Sequence, residues 1–264
     1  MRPGEAVLGA YREAADLVEE MVTKLRDAWH QLIAAVQDLL TRAYHFLSTD
    51  SVWSTVVQTF TRDVADAIDG INLLISTIRP EVDKIFEVLR RAADRAAPVL
   101  SLFETAIACS DDVAERLSGL ATEMTGSSEI EPWQGAAKRS YTKRAADQLG
   151  ATEAAAAKVR VTARWLGTIG AANTAYVTNA GHLAAELAGE FVTAAIDAGE
   201  TTPAGAPNFV STLQRLAAFV DLSVQRTVDG AAELQNQFLA ALAEANEIET
   251  DPGVHSWPAA AKMP

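Results

Sequence analysis

Four histidines, one cysteine and many carboxylates are the residues of this 264-residue chain that could do chemistry. A metal site repeats its ligands at short spacing, and an activated nucleophile needs a base within reach. His30, His45, His182 and His255 stand apart, without a second ligand type at such spacing. They read as structural or solvated side chains, so no metal is expected. Cys109 is the only cysteine, which excludes an internal disulfide and a thiolate cluster. It follows Ala106-Ile107-Ala108 in an apolar pattern and reads as a small buried hydrophobe. The glycines between 167 and 189 are scattered through a helical pattern and form no phosphate-binding loop. The carboxylates fall on solvent-face positions. No catalytic residue and no cofactor follow from these residues, and the expectation is a protein that is not an enzyme.

Two local features remain. Trp133-Gln134-Gly135 comes just after the polar, turn-rich stretch 125–132, with long helical patterns on either side. Lys138, Arg139, Lys143 and Arg144 occupy the first turns of the helix that follows. Cations there oppose the helix macrodipole at a cost of about a few tenths of a kcal/mol each. Two readings stay open for the cluster: a solvated face paired with acids such as Glu129 and Glu131, or a contact for an acidic partner.

The elements that must position these residues are all helical. In the first segment Tyr11, Ala15, Val18, Val22, Leu25, Trp29, Leu32, Val36, Leu39, Ala43 and Phe46 recur at alternating four- and three-residue steps. That is the 3.5-residue period of a coiled-coil seam, and it predicts a helix from about 4 to 47. Ser48 to Ser51 form a break with good capping residues. The next helix presents Val56, Phe60, Val64, Ile68, Ile71 and Ile75. Pro80 is read as opening a new helix, because proline is tolerated in a first turn; a kink in one continuous helix is the alternative. The apolar pattern then runs through Val82, Ile85, Leu89, Phe103, Ile107, Val113, Leu117 and Leu120, with a bend at Pro98. A long alanine-rich helix is expected from 133 to about 199, weakened at Gly167 and Gly170. Residues 200–208 read as the clearest loop, with Asn208 as the next N-cap. The last helix presents Leu213, Leu216, Val220, Val224, Val228, Ala231, Leu234, Phe238 and Leu242, and residues 249–264 should be an irregular tail. No segment alternates with period two, so no sheet is expected. The fold class is all-α: an elongated antiparallel bundle of about five long helices, forming one domain over residues 1–248.

Composition bounds the partners. Hydrophobic residues make up 49% of the chain and aromatics 6%, a mixture suited to closely packed helices. The net charge is −13, shared as −8 over residues 1–125 and −5 over 126–264. Such a field repels phosphate, which argues against nucleic acid and does not favour an anionic membrane. The start, Met1-Arg2-Pro3-Gly4-Glu5, leads into a charged amphipathic helix without the apolar core of a cleavable signal peptide.

Pro132-Trp133-Gln134-Gly135-Ala136-Ala137-Lys138-Arg139-Ser140-Tyr141, followed by an amphipathic Ala/Gln/Leu helix, resembles the WXG family of type VII secretion substrates. In that family a Trp-x-Gly turn joins two antiparallel helices, with a small residue and then an aromatic after the glycine, as Ala137 and Tyr141 stand here. The resemblance covers about residues 85–180, with the hairpin placed at about 80–199. The chain is longer than small members and is similar to the larger PPE-like and secretion-associated ones. The resemblance implies partner-binding roles for Trp133, Gly135 and Tyr141. It also implies a helical protein partner or a secretion chaperone or ATPase, with homo-oligomers as a further option. Export would be to the envelope or outside by a signal-peptide-independent route after a cytoplasmic stage. The family's export signal, Tyr-x-x-x-Asp/Glu, is missing: Ala15, Ser48, Ala145 and Ala180 stand four residues after the tyrosines. A partner would have to supply it, or the protein stays inside. A membrane-active helical effector and a cytosolic coiled-coil scaffold are the other readings.

Overall fold

The computed structural model describes residues 3–49, 55–94, 96–126 and 134–250. These form helix α1 (Pro3–Thr49), α2 (Thr55–Asp94), α3 (Ala96–Ile107), a π-helical segment (Ala108–Ala114), α4 (Glu115–Gly126), α5 (Gly135–Glu200), a 3₁₀ turn (Pro203–Gly205) and α6 (Ala206–Thr250). The segment from α3 through α4 is helical throughout, so the architecture is five helical stretches, with no strand among the described residues. Contacts divide the chain, read from sequence as one bundle, into two compact units. One contains residues 12–96 and 174–233; the other contains residues 1–11, 97–173 and 234–264.

The first unit is a four-helix bundle. Every seam position of α1 from Val18 to Ala43 is buried or half-buried, and Ala14, Met21 and Ala28 join it to widen the stripe. That is the behaviour of an amphipathic helix buried against several neighbours instead of one. The core joins Leu25, Leu32, Ile78, Ile85, Phe191 and Leu213, from all four helices. Trp29 of α1 packs on Phe191 of α5, with ring centroids 5.2 Å apart. Gly181 lets α5 approach Leu17 and Val18 closely: a Cβ there would meet Leu17 at 3.3 Å. The rising contacts Leu17–Gly181, Trp29–Phe191 and Arg42–Ala198 run α1 and α5 parallel. Glu186–Arg226 and Asp197–Thr212 run α5 and α6 antiparallel.

Arg42 locks one end of this bundle. Its guanidinium donates to the carbonyls of Ala198 (3.1 Å), Gly199 (3.4 Å) and Thr201 (3.0 Å), while its Nε donates to Asp38 at 2.8 Å. The last carbonyls of a helix have no intrahelical donor, and a cation there also meets the negative end of the dipole. Arg42 supplies both to α5, a contact that no local spacing announces.

Two boundaries differ from the sequence reading. Pro80 does not open a helix; it lies inside α2. The apolar face continues across it through Ile78, Val82, Ile85 and Leu89, all buried. Pro80 itself is exposed, so its ring and the carbonyl it leaves unbonded face water. Asn208 is not an N-cap. Thr202, with extended backbone (φ −72°, ψ 158°), precedes the 3₁₀ turn that Pro203 opens, and α6 starts at Ala206. Both Pro203 and Pro207 sit in first turns, where a missing N–H costs little. The long helix expected from 133 to about 199 is α5, which runs through Gly167 and Gly170.

The second unit packs α3 and α4 antiparallel on the first part of α5. Phe103 lies on Gly170, and Arg160 donates to Ser118 Oγ. Tyr11 stacks on Phe103 at 5.6 Å. The last part of α6 joins through the Trp165 indole N–H, which donates to the Ala241 carbonyl. The buried positions of α3, α4 and this stretch of α5 include Ala106, Ala114, Ala121, Ala156 and Ala163, beside Phe103, Leu166 and Ile169.

The π segment changes which residues face this core. An i→i+5 segment advances less rotation per residue than an α-helix, so the apolar face lags. Ala114 and Ala121 are buried, while the expected Val113 and Leu120 are 44% and 49% exposed. Cys109, within the segment, is half-buried instead of buried. A similar slip occurs on α6. Ser223 and Ala241 are buried, whereas the expected Val228, Phe238 and Leu242 are exposed.

Candidate partner-binding surface at the start of α5

Gly135 is the first residue of α5 and has φ +80°, the sole positive φ among the described residues. L side chains are strained there and glycine is not. Nothing lies within 4 Å of where its Cβ would be, so the requirement for glycine comes from the backbone and not from crowding. Gly135 thus opens α5 in a left-handed backbone conformation that favours glycine.

Tyr141, six residues further, is 44% exposed. The helix around it has little to pack on among the described residues: no residue from Gln134 to Ala151 is buried, and Thr152 is the first that is. Lys138 is half-buried, and Arg139, Lys143 and Arg144 are exposed. Trp133, the centre of the sequence motif, lies outside the described residues, as do Glu129 and Glu131. The structure thus brings Gly135, Tyr141 and the basic cluster onto one accessible stretch of helix.

The charge of this stretch departs from that of the chain. From Gly135 to Arg164 there are seven bases and two acids, a net of +5 in a chain of −13. Sequence reasoning noticed only the first four cations. Lys158, Arg160 and Arg164 are separated from them by more than three turns of the same helix.

His30, His45 and His182 are exposed. Among the described residues no group of three or more His, Cys, Asp or Glu side chains is placed to hold a metal ion. The phenol of Tyr11 is pushed above its ordinary value by burial. No helix among the described residues is long and apolar enough to cross a membrane.

No family model, no curated protein and no solved structure matches this chain.

Proposed function

We propose that this is a non-enzymatic type VII secretion-associated protein, a substrate or the partner of one, that acts through helical interfaces. The observation that carries this reading is Gly135: a glycine at φ +80° two residues after Trp133, opening a helix that lies antiparallel to the one before it. A Trp-x-Gly hairpin needs such a residue at that point, and an accessible Tyr141 suits a contact with a helical partner.

Export is the test. The protein is followed in culture filtrate and cell lysate of the native host, with and without the type VII ATPase. Release that depends on the ATPase, and is lost in Trp133→Ala and Gly135→Val, is the expected result. Trp133→Ala should cost only about 1 kcal/mol of stability if the indole serves a partner, against ~3–5 kcal/mol for a fully buried one. A large loss of melting temperature together with unchanged export would make Trp133 a core residue and remove the basis of the proposal.

A further inference from the structure

The basic stretch of α5 is ordered along the helix. Arg139, Lys143, Arg160 and Arg164 fall on one heptad row, reached by alternating steps of four and three residues. All four are exposed, and none forms an ion pair among the described residues. They make two i,i+4 cation pairs, one at each end of the row. The pair centres are 21 residues apart in the sequence, about 32 Å at the helical rise of 1.5 Å per residue.

Between the pairs the row holds only Ala146, Gly150 and Ala157, all exposed, and one acid, Glu153. Small side chains leave the backbone open to close approach by another helix. Glu153 stands midway between the clamps. It lines the same shallow cleft against α4 as Arg160, whose position is fixed by its hydrogen bond to Ser118.

We propose that this face of α5 docks a helix of a partner protein that carries carboxylate pairs three heptads apart and a lysine or arginine midway between them. The inference rests on the helical-interface reading above and names the partner's chemistry. Charge complementarity is the argument. The outer pairs attract carboxylates, the centre attracts a cation, and a register shift of one heptad puts like charges opposite one another. A phosphate backbone or anionic lipid surface offers uniform negative charge, which suits the ends but meets Glu153 at the centre and a chain whose remaining residues sum to −18.

The experiment uses the full chain and a fluorescein-labelled, 32-residue alanine-based helical peptide with Glu pairs three heptads apart and a central Lys. Fluorescence anisotropy is read at low and at physiological salt. A peptide of the same composition with its charges scrambled, phosphatidylglycerol vesicles and a single-stranded oligonucleotide are the comparisons. The patterned peptide should bind at least tenfold more tightly than the scrambled one. Lys143→Glu/Arg164→Glu should abolish that difference, and Glu153→Lys should transfer the preference to a peptide with a central Glu. Circular dichroism melts confirm that each variant folds. Equal binding of both peptides, or tighter binding of vesicles or oligonucleotide, overturns the proposal. Export can fail while patterned binding persists, and the reverse, so the two readings fall separately.

Discussion

Gly170→Ala and Gly167→Ala, one turn apart on α5, should shift stability in opposite directions. At Gly170 an added Cβ would stand 2.2 Å from Phe103 Cε1 and 2.3 Å from Cζ, where ordinary contact begins near 3.4 Å. The ring must retreat by about 1.2 Å. It has little room, since Phe103 is 3% exposed and is backed by Tyr11, itself 1% exposed. Overpacking of this kind costs about 1–3 kcal/mol, and the gain from replacing glycine in a helix interior returns at most about 1 kcal/mol. With that gain in full, a net loss of up to about 2 kcal/mol follows. At Gly167 nothing lies within 4 Å of the added Cβ, so only the gain remains. For a chain of this size 1 kcal/mol moves the melting temperature by roughly 2–4 °C, and thermal melts followed at 222 nm resolve the two variants. Phe103→Leu removes the obstructing ring edge. In that background Gly170→Ala should cost less, with a coupling of at least about 0.5 kcal/mol in the double-mutant cycle. If Gly170→Ala stabilises as Gly167→Ala does, the packing of Phe103 on α5 is not as described and the argument fails.

Three further outcomes can be checked. Arg42→Ala should lower stability by about 1–2 kcal/mol, because three carbonyls at the end of α5 lose a charged donor; Asp38→Ala, which removes only an exposed pair, should cost under about 1 kcal/mol in the same denaturant titration. Tyr11 should ionise above the ordinary tyrosine value when phenolate absorbance is followed above pH 10. Its raised pKa means that its contribution to stability is whole below the ordinary tyrosine value and is lost as pH rises through the folded one; a normal titration of all tyrosines would contradict its burial. Amide hydrogen exchange should be slower across Leu25–Leu39 and Leu187–Ala198, within the large core, than across Ala114–Ala121 and Ala145–Ala156, where the buried side chains are small; equal protection would refute the contrast.

Much of the fold was legible from periodicity alone. The α1 seam from Tyr11 to Phe46 is buried or half-buried at every position, because one apolar stripe on a long helix admits one way of packing. Periodicity fails where the backbone itself changes pitch. The π segment at Ala108–Ala114 rotates the face that follows, and Val113 and Leu120 end outside. Proline was misjudged for a related reason. At Pro80 the tertiary packing of Ile78 and Val82 outweighs the local cost of the missing hydrogen bond. At the candidate site the requirement for glycine at 135 could be read from the motif. The second cation pair at Arg160 and Arg164 lay within the long helix expected from 133 to about 199, but several turns beyond the first cluster; the exposure of all four side chains along α5 joins the two pairs.

The polar groups of the described residues are satisfied close to where they stand in the sequence. Among the described side chains, no buried nitrogen or oxygen lacks a hydrogen-bond partner. The two buried polar residues, Thr152 and Ser223, each return their hydroxyl to a carbonyl one turn earlier, satisfying themselves within their own helices. What departs from the rest of the molecule is instead outside: a net charge of +5 on one helical stretch of an acidic chain, and a glycine in a left-handed conformation at its start. Solvated cations can be placed anywhere on a surface. Two pairs in one row three heptads apart, with small side chains and one acid between them, repeat at the spacing that a second helix would present.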